Sequence, residues 1–128
     1  MAKGISYTQR TLQELRKQGR TASVVEKYVQ RAGMAFGFRK DLFGFIDIIV
    51  LCPERGIVGI QSTGPSGHSS HKKKIIEECG ELAIKWLSCG GSIELWSWKK
   101  KPLREGLKAL RWTPRIEDIT SEVIHGVG

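Results

Sequence analysis

A chain of 128 residues is long enough for one domain with one core and too short for two ordinary ones, so a single domain over residues 1–128 is expected. With 40% hydrophobic and 27% charged residues, it fits neither a disordered nor a fibrous class. The 21 Lys and Arg against 13 Asp and Glu give a net charge of +8, which points to a polyanionic partner, nucleic acid first. Cys52, Cys79 and Cys89 form no Cys-x-x-Cys pair, which argues against a disulfide framework or a structural zinc site and for a reducing cytoplasm. The apolar run from Leu42 to Cys52 is broken by Asp47 and falls well short of the roughly 20 residues of a membrane helix. Lys3 is followed by no apolar segment, so neither a membrane span nor a signal peptide is expected.

Along the chain, residues 8–18 place Leu12 and Leu15 on one side among good helix formers, and Gly19 supplies a stop. The β-branched content of Thr21 to Val29 predicts a strand. The segment FGFIDIIVLC, the Pro53 to Gly56 turn and Ile57 to Ile60 predict a hairpin of two central strands. Alternation then puts Gln61 and Thr63 on one face and Ser62 on the other. After a polar loop, Gly64 to Gly67, the stripe Ile75, Cys79, Leu82, Ala83 and Trp86 predicts an amphipathic helix over Lys72 to Leu87. Gly90-Gly91 ends it, and the alternation from Ser92 to Trp98 predicts a further strand. The order helix, strand, hairpin, helix, strand is that of an α/β domain with a mixed sheet, its core about residues 8–100 and an extension about 99–128.

Charge is concentrated at two places. Residues 1–40 carry nine basic side chains against Glu14 and Glu26, and Lys99 to Arg115 carries seven against Glu105, before an acidic tail of Glu117, Asp118 and Glu122. One such cluster is commonly just a solvated surface; two flanking an acidic, apolar centre favour a binding face. Trp96, Trp98 and Trp112 alternate with basic residues, as in base-stacking platforms, although Trp fills cores as often. His68 and His71 lie beside Lys72 without Cys or acidic neighbours, so phosphate contact or plain exposure is expected. Gly59 to Ser66 has P-loop glycine spacing, but Pro65 stands where that loop needs its lysine.

Asp47 is the most informative residue. A carboxylate inside Phe45-Ile46-Asp47-Ile48-Ile49-Val50 is costly to bury without a cation or hydrogen-bond donors. Backbone capping at a strand end would satisfy it; so would a hard divalent cation, for which Gln61 offers a further oxygen. Asp41 reads as a cap on the turn into the hairpin or as a carboxylate supporting the ligands from behind, with Gly44 allowing a bulge.

The layout of Asp47 with Gln61-Ser62-Thr63, on a hairpin preceded by a helix and followed by a basic one, resembles the PD-(D/E)XK nuclease superfamily. The runs RKDLFGFIDIIVL, GIQSTGPSG and ELWSWKK are most similar to small phage and bacterial relatives of archaeal Holliday-junction resolvases, over roughly residues 10–100. The resemblance implies a restriction-endonuclease-like αβββαβ core, a central mixed sheet flanked by helices. It implies a Mg²⁺- or Mn²⁺-dependent DNA endonuclease, acting on branched DNA as a two-fold dimer, in the cytoplasm of a bacterial or phage-infected cell. Carried over by position, Asp47 is the first metal ligand, Gln61 the second where the motif has an acid, and Thr63 stands at the lysine position. The upstream acid falls on Glu26 or Glu14, with Glu26 favoured. The missing catalytic charge falls among Lys40, Lys72, Lys73 and Lys74, with Lys73 taken as the catalytic one. Arg39, Lys40, Lys72, Lys73, Lys74, Lys99 and Lys100 are the expected DNA contacts. Because Gln61 and Thr63 both depart from the motif, the alternative is a catalytically inactive DNA-binding protein with the same fold. A third reading, an RNA-binding or nucleic-acid-processing subunit without metal, accounts for the charge but not for Asp47.

Overall fold

The computed structural model describes residues 4–30, 32–33, 35–102, 104–106 and 108–126. Helix α1 (Tyr7–Lys17) is capped by Ser6, whose Oγ accepts from the Gln9 amide at 3.1 Å, and it buries Thr8, Thr11, Leu12 and Leu15. Gly19, at φ +79°, closes it. The chain then forms β1 (Thr21–Val24), β2 (Lys27–Val29), β3 (Phe38–Lys40), β4 (Ile48–Cys52) and β5 (Gly56–Thr63). Helix α2 (His68–Lys73) runs through a π-helical turn (Lys74–Glu78) into α3 (Gly80–Ser88), followed by β6 (Ser92–Pro102), β7 (Leu110–Asp118) and the short α4 (Ser121–Ile124).

The main sheet has the order β1-β4-β5-β6-β7. Its β1/β4, β4/β5 and β6/β7 pairs are antiparallel and β5/β6 is parallel, so the sheet is mixed. Strand alternation sorts the side chains into two cores. On one face Ile48, Val50, Val58, Ile60, Trp96 and Trp98 pack against Leu12 and Leu15 of α1. On the other, Ile46, Ile93 and Leu95 pack against Ile75, Cys79 and Ala83 of the second helical layer. Gly59 permits that approach, since a Cβ there would lie 2.8 Å from Ile46 Cδ1 and 3.3 Å from the Trp86 ring.

Four sequence expectations change. The strand predicted over residues 21–29 breaks at Val25 and Glu26: Val25 donates to the Asp47 carbonyl at 2.8 Å, then the chain leaves the main sheet and pairs as β2 with β3 in a separate two-stranded finger. The helix predicted over residues 72–87 starts earlier, at His68, and contains the π turn, which shifts the phase of the stripe, so that Ile75, Cys79 and Ala83 stay buried while Leu82 is exposed. Trp96 and Trp98 are core residues, their indole N–H groups donating to Glu94 and to Thr11 Oγ1. The stretch after residue 98 is no appendage either: β6 and β7 pair from Glu94–Asp118 to Pro102–Leu110, beyond the Thr63–Ser97 pair that ends the β5/β6 ladder.

Candidate functional site

A tight turn builds the site. Leu42 and Ile46 bridge each other through both backbone hydrogen bonds, 2.9 and 3.0 Å, with Phe43 (φ +56°) and Gly44 (φ +85°) between them in the left-handed region. Asp41 and Asp47 therefore leave a closed loop side by side. Asp47 is fixed from both flanks, its N–H donating to the Ile60 carbonyl and its carbonyl accepting from Val25. That second bond brings Glu26 in as well. Carboxylate oxygens of Glu26, Asp41 and Asp47 lie within 4.8 Å of one another.

Asp47 is 3% exposed, and its Oδ2 accepts from the Ser62 amide at 2.8 Å and from Gln61 Nε2 at 3.0 Å. Gln61 Nε2 also donates to Asp41 Oδ2 at 3.1 Å, an acceptor shared with Lys74 Nζ at 3.3 Å. Burial pushes the Asp47 carboxyl up to about 8, and the adjoining Asp41 adds to the rise. Burial works on Asp41 in the same sense, but hydrogen bonds from Asp47 and Gln61 and the Lys74 ammonium outweigh it and hold Asp41 below its ordinary value. The two carboxyls therefore titrate together, Asp47 pushed up and Asp41 held down.

Gln61 is 2% exposed and its Oε1 is buried without a hydrogen-bond partner. In this orientation Nε2 donates to both aspartates and Oε1 is left without a donor. An orphaned acceptor of this kind costs about 1–3 kcal/mol. The three carboxylates offer hard oxygen donors of the kind Mg²⁺ or Mn²⁺ takes, while the Gln61 amide turns its nitrogen toward them. Asp41 lies beside Asp47, its side chain taken by Gln61 and Lys74 rather than by the turn's backbone. The signal available for this was the Asp41-x5-Asp47 spacing across Gly44. Glu26 joins the group, whereas Glu14 receives a hydrogen bond from Gln18 along α1.

Among the lysines, Lys74 carries its ammonium to the cluster. Lys73 does not: it is largely exposed and faces Glu77 at 3.9 Å, and Lys72 bridges Glu117 at 2.7 Å. The π turn begins at Lys74, so the local backbone widening sits where the cluster's cation is aimed. Thr63 is buried against Gly67, whose missing side chain makes room for it: a Cβ there would collide with Thr63 Oγ1. His71 packs by the same glycine; its Nδ1 is buried without a partner, and burial, with Lys74 nearby, keeps its imidazole below the ordinary value. His68 is buried and tied to Ser97 Oγ and Glu117 Oε1, each at 2.7 Å, so it locks α2 to β6 and β7 and is not available to a phosphate.

The remaining basic positions gather at one end of the sheet. Arg39 pairs with Glu26 at 2.6 Å, and Lys40 is exposed on the finger. Lys99 and Lys100 are exposed on the projecting β6–β7 arm. Val24 pairs with Ile48, Ile48 with Ile60 and Thr63 with Ser97, so the finger, the start of α2 and the arm all leave from the end of the sheet that carries the carboxylates.

No protein-family model, curated protein or solved structure matches the chain. No helix among the described residues is long and apolar enough to cross a membrane.

Proposed function

We propose that the protein is a metal-dependent nuclease of the PD-(D/E)XK type that hydrolyses phosphodiester bonds in DNA. The observation that carries this reading is the convergence of Glu26, Asp41 and Asp47, with Gln61 bonded between the two aspartates and its Oε1 buried without a partner. The sequence of α1, three antiparallel strands β1, β4 and β5, a helical layer and the parallel β6 supports the αβββαβ core of that superfamily, with the finger and β7 as additions. A bound Mg²⁺ or Mn²⁺ would neutralise charge on a phosphodiester and lower the pKa of water. The chain's own part is to present the carboxylates of Glu26, Asp41 and Asp47 beside Gln61 and to release the Asp47 proton. Lys74, on Asp41, can turn its ammonium toward an incoming phosphate, a charge that Thr63 does not provide. The basic finger, helix start and arm then hold the flanking DNA, and branched DNA cut by a two-fold dimer belongs to the same proposal.

A second reading, a DNA-binding protein without catalysis, draws on a specific observation. Arg39 on Glu26, Lys74 on Asp41 and Gln61 between the two aspartates already satisfy much of the negative charge internally. The test is cleavage of plasmid, single-stranded and four-way-junction DNA in Mg²⁺ or Mn²⁺. The nuclease reading expects metal-dependent cutting that Asp47→Ala abolishes in a folded protein. Binding without cutting by the parent selects the second reading, and equal cutting by the variant removes the site.

A further inference from the structure

The β2–β3 finger is rooted on both sides in the carboxylate cluster: Glu26 immediately precedes β2 and Asp41 immediately follows β3. Cross-strand pairs Lys27–Lys40, Tyr28–Arg39 and Val29–Phe38 assign its faces, Tyr28 and Arg39 to one and Lys27, Lys40 and Phe38 to the other. Its aromatic side chains are left outside the cores: Tyr28 is 65% exposed, Phe36 77% and Phe38 44%. The Tyr28 ring is held in place, its Oη accepting from the Gly37 amide at 2.9 Å and its Cζ lying only 2.5 Å from where a Gly37 Cβ would be. Between the finger and α1 runs a polar groove of about 390 Å³, lined by Gln9, Val24, Glu26, Lys27, Tyr28 and Arg39. A cluster carboxylate, Glu26, is therefore part of that groove's wall.

We infer that a DNA strand with unpaired bases enters this groove and crosses over the finger beside the cluster, its bases meeting Tyr28 on one face and Phe38 on the other, with Phe36 between the strands' ends, and its phosphates meeting Arg39 and then Lys27 and Lys40. Exposed rings interleaved with cations are the combination that binds single strands, because every base offers a π-face while the backbone is held by charge. A duplex buries its base faces and gains from the cations alone. The other aromatic residues near basic ones do not serve: Trp96 and Trp98 are core, and Trp112 is covered by Arg10 at 4.4 Å and by Lys100 at 5.3 Å. An apolar protein partner is the poorer occupant, since the finger sets Lys27, Arg39 and Lys40 beside its rings and the whole chain is at +8. The inference rests on the DNA-directed part of the proposed function and names the strand state that the site selects.

The test is binding without divalent metal, so that cleavage plays no part. The full-length parent, Phe36→Leu and the Tyr28→Leu/Phe38→Leu pair are titrated into two DNAs of equal length, one a perfect duplex and one with a single-stranded flap carrying 2-aminopurine. The parent binds the flap DNA more tightly and changes the 2-aminopurine fluorescence as the base stacks. The variants lose on the order of tenfold on the flap DNA, lose the fluorescence change, and bind the duplex within about twofold of the parent. Tyr28→Phe, which keeps the ring, retains flap binding and so separates stacking from a folding defect. Equal losses on both DNAs, unchanged flap binding in the variants, or no DNA binding by the parent overturns the inference. Absence of metal-dependent cleavage would remove the nuclease reading while leaving a flap preference standing.

Discussion

Replacing Asp47 by Asn should make the metal-free protein more stable, increasingly so as pH rises. Asp47 has its folded pKa raised from 3.8 to about 8. The stability associated with its protonated form is fully present below the unfolded pKa and is lost as pH rises through the folded one, so the loss falls between about pH 4 and 8. At roughly 1.4 kcal/mol per pH unit, a gap of about four units sets a ceiling near 6 kcal/mol. Sharing of the proton with Asp41 reduces that, and we expect about 2–3 kcal/mol. Asn keeps an oxygen for the Ser62 amide and has no charge to desolvate. The assay is urea unfolding in EDTA between pH 4 and 9, followed by the fluorescence of the buried Trp96 and Trp98. Taking the variant minus the parent cancels the titrations remote from the pair; that of Asp41, which leans on Asp47, does not cancel, but its lowered pKa places its share at more acid pH. The expected difference is near zero at pH 4 and levels off above pH 8. A difference that does not change with pH would refute the buried-carboxylate account, and Mn²⁺ that stabilises the variant as much as the parent would separate the cation from Asp47.

The remaining predictions concern catalysis and binding. Lys74→Met should lower the cleavage rate by about 10² to 10³, measured in single-turnover assays, whereas Lys73→Met should alter DNA affinity alone; equal effects on rate would return the missing charge to a diffuse surface. Gln61→Glu removes the Nε2 bonds to both aspartates and adds a fourth carboxylate to the cluster, so it should lower metal-free stability and tighten Mn²⁺ binding in calorimetry. If cleavage arises only when Thr63→Lys is added to it, the parent is the non-catalytic protein. DNA affinity should fall with salt at a log-log slope of about −0.9 per phosphate neutralised, roughly −4 or steeper for a strand meeting the finger, the start of α2 and the arm; a flat response would remove DNA as the partner.

Local pattern alone determined a good part of this fold. Ser6 and Gly19 bound α1 because caps and left-handed stops are local chemistry, and the alternation of β4 and β5 separates Gln61 from Ser62 because side-chain direction in a strand depends on nothing distant. The anomaly of Asp47 was equally legible, since a carboxylate in an apolar strand is costly in any fold that buries the strand. What surrounds that carboxylate depended on tertiary structure. Asp41 joins it because two left-handed residues close the Leu42–Ile46 loop, and Glu26 joins it because the Val25 amide finds the Asp47 carbonyl and ends β1 there. Periodicity assumes an unbroken helix, so it could not anticipate the π turn that begins at Lys74 and turns Leu82 outward. Nor does composition say whether an aromatic beside a lysine faces a core or solvent: Trp96 and Trp98 lie in the core under α1, while Tyr28 and Phe38 lie on a finger that has left the sheet and stay exposed. Burial is a property of the assembled layers, and each of these assignments waited on which layer covered the residue.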